Sequence, residues 1–266
     1  MDLLLAALEN KDSSHIKSLQ RAVVIFELLA QESGELSLTE IAQKLDWPKS
    51  TVHGIISTFR DFGYIDQSKE NGKYSLGVRL FELGNLVARR WDITKMAKPI
   101  LKTLHKQTGM TVQLGKEQDG EVLYLDKIDG DGLLKIVSQV GARLPMHCSG
   151  LGKVLLAYDS EARVNQIVRK NGLKKFTKNT ITHQEALKKE LALIRKRGYA
   201  LDDNEIMDGL RCVAFPIYDS AKEVSYAVSV SGLSTYLGDE QLDKIIGYLR
   251  EASEMLSGMM GSLHNI

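Results

Sequence analysis

Apolar residues between Ser37 and Arg60 fall into two helical stripes separated by a short turn. In the first, Leu38, Ile41, Ala42 and Leu45 recur at i, i+3, i+4 and i+7; Val52, Ile55, Ile56 and Phe59 repeat the pattern in the second. Asp46, Trp47 and Pro48 lie between them. Ser37 and Glu40 have capping-box spacing, which predicts where the first helix begins. Pro48 suits the start of the second, because it lacks the donor that would go unpaired there. Upstream, residues 17–30 are amphipathic through Leu19, Ala22, Val23, Phe26 and Leu29, so three short helices can share one core. Downstream, the β-prone runs at 63–66 and 73–76 flank an Asn71-Gly72 turn and predict a hairpin. Three helices and a hairpin make a winged helix-turn-helix, whose second motif helix has the size to enter a DNA major groove.

Beyond the hairpin the rhythm changes. Residues 77–91 are apolar at helical spacing and predict a connecting helix, stiff enough to pass on a change of orientation or usable as a dimer contact. A helix over 96–107 precedes strand-like runs at 111–115, 121–128 and 133–138. Helical segments follow near 151–157, 160–170 and 184–197, then strands at 211–218 and 224–231 and a last helix over 239–259. Strands with helices set apart at the ends suggest an α+β sensor-type domain with an antiparallel sheet.

Composition narrows this picture. At 266 residues the chain is long enough for two domains. Its 35 Lys and Arg against 34 Asp and Glu exclude a broadly basic nucleic-acid footprint. Positive charge toward DNA must be local: Lys17, Arg21, Lys49 and Arg60, with Lys69 and Lys73 on the wing. Weak non-specific affinity and reliance on dimerisation follow. Leu3 to Leu8 is too short and lacks the basic flank of a signal, and no apolar run reaches about 18 residues. The expectation is a soluble, cytoplasmic protein with no membrane partner. Two cysteines, Cys148 and Cys212, read as reduced thiols with a local role.

With the second stripe turned inward, the outward face of that helix carries Lys49, Ser50, Thr51, His53, Gly54 and Ser57. Hydroxyls and a lysine beside free N–H groups at a helix N-terminus can take phosphate. His53 and Ser57 are better placed for base edges. Gly54 in mid-helix costs about 1 kcal/mol relative to alanine; it either permits close approach to the DNA backbone or is only tolerated. Helix-turn-helix spacing also occurs in proteins that never meet DNA.

The segment 145–157 turns from a glycine-bearing loop into a helix, and the amides of Gly150, Leu151 and Gly152 can hold a small anion such as a carboxylate. It is no Walker loop, since Gly150 and Gly152 stand too close to Lys153 and Val154 replaces the magnesium-binding hydroxyl. Ser229 and Ser231 share one face of a strand, turned either to a ligand or to solvent; Asp202 and Cys212 are ambiguous alone. An enzyme with Cys148 or Cys212 as nucleophile and His147 as base lacks an evident orienting acid. A zinc site from His147, Cys148 and Cys212 matches no standard spacing. A ligand-sensing module whose helix-turn-helix serves only protein contacts is the remaining rival. No catalysis and no cofactor are expected.

In order along nearly the whole chain, the sequence resembles the IclR-type bacterial transcription regulators. The residues that carry this are Lys-Ser-Leu-Gln-Arg-Ala (17–22), Ser-Leu-Thr-Glu-Ile-Ala (37–42), Pro-Lys-Ser-Thr-Val-His (48–53) and Tyr-Ser-Leu-Gly-Val-Arg-Leu (74–80). They continue with Leu-Pro-Met-His-Cys-Ser-Gly-Leu-Gly-Lys (144–153), Arg-Gly-Tyr-Ala-Leu-Asp-Asp-Asn-Glu (197–205), Gly-Leu-Arg-Cys-Val-Ala (209–214) and Ser-Val-Ser-Gly (229–232). The resemblance implies an N-terminal extension (1–16), a winged helix-turn-helix (17–76), a linker helix (77–94) and a GAF-like effector-binding and oligomerisation domain (95–266). It further implies dimers or dimers of dimers on palindromic double-stranded operators, and a small organic or aromatic acid as effector. Carried over by motif, the pocket uses the amides of Gly150 and Leu151, with Asp202, Cys212, Ser229 and Ser231, and an apolar side from Leu133, Ile136 and Leu210. Many relatives have arginine directly after the recognition-helix histidine. Here that residue is Gly54, so no base preference is transferred.

Overall fold

The computed structural model describes residues 16–32, 34–88, 92–132 and 139–262. The chain divides into two compact units, Met1–Arg90 and Trp91–Ile266. In the first, helices α1 (Lys17–Gln31), α2 (Leu38–Leu45) and α3 (Lys49–Asp61) precede the hairpin β1 (Ile65–Gln67) and β2 (Tyr74–Leu76), then α4 (Val78–Ala88). Ser37 caps α2 by accepting from the Glu40 N–H while the Glu40 carboxylate accepts from the Ser37 N–H. Asp46, in the left-handed region at φ 54°, ends that helix and turns the chain into α3. Val52, Ile56, Ile41, Leu45, Ile25 and Leu28 form the core of this unit, with Ile65 and Tyr74 contributed by the hairpin.

One face of this unit differs from the sequence expectation. Ala22 and Leu29 of α1 are buried and Phe26 packs at the margin, but Leu19 and Val23 are exposed; Val24, Ile25 and Leu28 point inward instead. Residues 22–30 are almost continuously apolar, so two helical stripes compete and only packing against α3 chooses between them.

The second unit opens with α5 (Asp92–Thr108). Strands β3 (Thr111–Gln118), β4 (Glu121–Ile128), β5 (Arg143–Pro145), β6 (Ala200–Asp203), β7 (Leu210–Tyr218) and β8 (Val224–Leu233) form one sheet in the order β5-β4-β3-β8-β7-β6. Every pairing is antiparallel. Helices α6 (Gly150–Ala157), α7 (Glu161–Asn171) and α8 (Gln184–Arg197) come before β6, and α9 (Asp239–Ser262) closes the described chain. The α+β class and antiparallel sheet agree with expectation, but the helices cover both faces of the sheet rather than its ends. On one face α5 and α9 pack against Val112, Leu114, Val213, Phe215, Val228 and Val230. On the other α6, α7 and α8 cover Val122, Tyr124, Ala200, Ala214 and Ala227. The run of small residues on that second face lets α6 lie close against the sheet. Two short strands, β5 and β6, had no legible sequence signal, and the strand expected at 133–138 lies outside the described residues.

Candidate functional site

In the N-terminal unit the inward stripe of α3 presents the remaining residues together. Lys49, Ser50, His53 and Gly54 are exposed, and Thr51 and Ser57 partly so. The N-cap is Pro48, with no side-chain cap hydrogen bond; the Thr51 N–H donates to the Pro48 carbonyl at 3.0 Å, which leaves the Lys49 and Ser50 N–H groups without an intrahelical acceptor. A methyl group added at Gly54 would meet nothing within 4 Å. Folding of this unit therefore makes no steric demand for glycine there. Lys17 and Arg21 are exposed on α1, the Arg21 guanidinium lying 5.6 Å from the centre of the Trp47 ring. Arg60 donates to Gln67 Oε1 at 3.1 Å and lies 3.5 Å from Asp61, while Lys73 pairs with Glu40 at 3.5 Å. These pairs trim the local positive charge, which fits the near-neutral composition.

In the C-terminal unit the sheet register lines up side chains that the sequence scatters. Thr111, Ser231, Cys212 and Asp202 form one row across β3, β8, β7 and β6; Gln113, Ser229, Ala214 and Ala200 form the next. Both rows face α6. Ser229 and Ser231 donate to the same acceptor, Gln113 Oε1, at 3.2 and 3.0 Å. This resolves the serines to the interior: they are 0 and 3 % exposed. Helix α6 starts against this patch. Its cap Ser149 accepts from the Gly152 N–H at 3.2 Å, which leaves the Gly150 and Leu151 N–H groups without an intrahelical acceptor. A Cβ on Gly150 would lie 2.8 Å from Cys212 Sγ, and one on Gly152 only 2.3 Å from the Met146 Cα. The two glycines are thus what lets the helix start sit on the polar row.

Gly150, Leu151, Asp202, Leu210, Cys212, Ser229 and Ser231 are all buried within this one unit. Leu133 and Ile136 lie outside the described residues. A cleft of about 700 Å³ at the ends of β3 and β8 touches the row at Thr111 and Ser231, and is otherwise lined by α5, α9 and neighbouring loops, including Tyr236, Lys244 and Tyr248.

Burial sets the protonation of the patch. It pushes the Asp202 carboxyl up to about 7, with the nearby Glu205 charge adding to the effect; N–H donation from Glu205 at 2.8 Å and the charge of Lys153 work against it. The Cys148 and Cys212 thiols are pushed up to about 12, again mainly by burial. His147 is held below its usual range by burial, and its Nε2 faces the Lys174 carbonyl at 3.0 Å. Two high, buried thiols and a histidine engaged elsewhere do not make a nucleophile–base pair. Among the described residues, no three His, Cys, Asp or Glu side chains converge as metal ligands, and no helix is long and apolar enough to cross a membrane.

Sequence reasoning missed four members of this patch: Gln113, Tyr124, Lys153 as a buried ion, and Glu205. Gln113 and Tyr124 stand in strands with no distinguishing pattern. For Lys153 the available signal was a charge inside an otherwise apolar helix start; Glu205, in the turn after β6 and preceded by Asp202, Asp203 and Asn204, had none.

Known proteins supply the remaining findings. The model for the IclR helix-turn-helix domain matches residues 18–69, and that for the bacterial transcriptional regulator IclR C-terminal domain matches residues 85–258. The HTH-type transcriptional regulator XynR of Escherichia coli K12 is 38% identical over 246 residues, covering 92% of this chain and 98% of that protein. The transcriptional repressor IclR of the same strain is 31% identical over 253 residues, covering 94% and 92%. The crystal structure of an IclR homologue from Microbacterium hydrocarbonoxydans complexed with 4-hydroxybenzoate superposes with a TM-score of 0.81 at 25% identity, covering 92% of this chain and 99% of that one. Both units, the order of elements and the relatives agree: the chain belongs to the IclR family of sequence-specific DNA-binding bacterial transcriptional regulators.

Proposed function

We propose that this regulator binds a palindromic operator as a dimer or dimer of dimers in the cytoplasm, and that a small organic or aromatic acid in the C-terminal unit sets its operator affinity. It would control, as a repressor or activator, a neighbouring catabolic operon, without enzymatic activity of its own. The observation that carries the effector reading is the buried row Asp202–Cys212–Ser231 with Ser229 and Gln113, facing the open N–H groups of Gly150 and Leu151. Amide and hydroxyl donors around a short acid suit a carboxylate whose other end carries a hydroxyl or keto group. The 4-hydroxybenzoate bound by one relative is such a molecule. On the DNA side, Lys49, Ser50 and Thr51 would take phosphate, His53 and Ser57 would reach base edges, Gly54 would allow close approach, and Lys17, Arg21, Arg60 and Lys73 would contact the backbone.

Gel shifts with the chain's own upstream DNA, run beside thermal-shift screens of small acids, test both halves. His53→Ala with Ser57→Ala should weaken specific DNA binding about tenfold or more and leave an acid-induced stabilisation intact. Asp202→Ala or Ser229→Ala should do the reverse. A protein that shifts no upstream fragment with or without acid would refute the operator reading. One that responds equally to acids after Asp202→Ala would refute the site.

A further inference from the structure

Lys153 heads the largest fully buried side chains of the described residues, at 1 % exposure. A buried ammonium is costly unless it is paired and hydrogen-bonded, so its partners reveal its task. It stands in α6, three residues after Gly150, and its Nζ donates to the Leu201 carbonyl of β6 at 2.6 Å and to the Glu205 carboxylate. Glu190 of α8 lies farther, at 3.8 Å, and is itself held by Arg197 at 2.8 Å. The turn that Lys153 grips is the one that presents Asp202: the Glu205 N–H donates to Asp202 Oδ1 at 2.8 Å, and Thr180 donates to the Glu205 carbonyl at 2.6 Å. Asp202 in turn is the register partner of Cys212. An unbroken line of contacts therefore runs from the start of α6 through Lys153 to Asp202 and back to the sulfur beside Gly150.

The other titratable groups around this corner are Tyr124 from β4, His147 and Cys148 from the loop before α6, Asp203 from β6, which pairs with Arg211, and Cys212 from β7. Lys153 is engaged by Glu205, whose second oxygen, Oε2, is buried with no hydrogen-bond partner among the described residues. We propose that Lys153 is a positioning residue of the small-acid site: it clamps the turn after β6 so that Asp202 stays beside Cys212, and its charge is directed to Glu205 rather than to the ligand. This rests on the effector reading above for its biological meaning, but not for its test. A core ion pair that merely ties α6 to the sheet would not fix the neighbourhood of Cys212.

The test reads the neighbourhood of Cys212 without a reagent that must reach the buried sulfur. The chain has two cysteines, so the full-length protein with Cys148→Ala, labelled with 13Cβ-cysteine, carries one labelled signal, which is followed by NMR from about pH 5 to about pH 10. With Asp202 beside the sulfur, that signal should move as the Asp202 carboxyl titrates near pH 7, and Asp202→Asn should abolish the movement. With Lys153→Met the movement should lose most of its amplitude, because the carboxyl no longer stands by the thiol. A movement of full amplitude, whether its midpoint is displaced or not, would overturn the proposal, since Lys153 would then act by charge alone or not at all. Should Lys153→Met fail to fold, Lys153→Met with Glu205→Gln removes both buried charges and takes the same measurement with the same expectation. No effector enters these measurements, so a barren acid screen would count against the effector reading and leave the role of Lys153 to be decided by the Cys212 signal alone.

Discussion

At Gly152 a single methyl group decides whether α6 can start where it does. An added Cβ would lie 2.3 Å from the Met146 Cα and 2.4 Å from its carbonyl oxygen, both backbone atoms that cannot swing away. Gly152→Ala should therefore lower stability by about 1–3 kcal/mol, measured by urea unfolding of the full chain. At Gly150 the near neighbour is the Cys212 sulfur, so the same change there acts on the site first. Asp202 makes a pH prediction with a definite sign. Its folded pKa, about 7, lies above the ordinary 3.8, so it contributes most at low pH and its contribution is lost as pH rises toward 7. Asp202→Asn should match the parent near pH 4 and gain on it as pH rises, by up to ~1.4 kcal/mol per pH unit until about pH 7. A gap between the melting curves that narrows with rising pH would contradict this.

Among the elements, α3 separates its two duties by face. Val52 and Ile56 are wholly buried while Lys49, Ser50, His53 and Gly54 are exposed. Gly54 has open space around its Cα, and alanine is about 1 kcal/mol better in a helix interior. Gly54→Ala should therefore raise the stability of the protein by about that amount. If the residue serves close approach to DNA, the same variant should bind operator less well, read by gel shift. A stabilised variant with unchanged affinity would mean the glycine is only tolerated. The caps show how local chemistry reaches structure directly: Ser37 with Glu40, and the Asn71-Gly72 turn with Gly72 at φ 72°, act within a few residues of themselves. Helix α1 shows the opposite case. Its two apolar stripes are equally good locally, and the choice of Ile25 and Leu28 over Leu19 and Val23 is made by Val52 and Ile56 packing across from it.

For the whole molecule, the chain passes from the first compact unit to the second after α4, and residues 77–94, expected as one linker helix, include α4, the start of α5 and residues 89–91 outside the described set. Inserting four glycines after Asn85 should uncouple acid binding from operator affinity while each is retained separately; unchanged coupling in gel shifts would refute transmission through a stiff connection. The sequence alone determined what depends on neighbours a few positions apart: the helix-turn-helix stripes, the capping box, the hairpin turn, the long strands and the Ser-Gly-Leu-Gly helix start. The eight ordered motifs then carried the family resemblance. Tertiary structure decided which stripe of α1 is inside, where helices cover the sheet, and that Ser229 and Ser231 face inward onto Gln113. It also brought Lys153 to Glu205, 52 positions away. Such pairs arise from strand register and helix docking, which no local period encodes, and a buried charge is stable only once its distant partner has arrived.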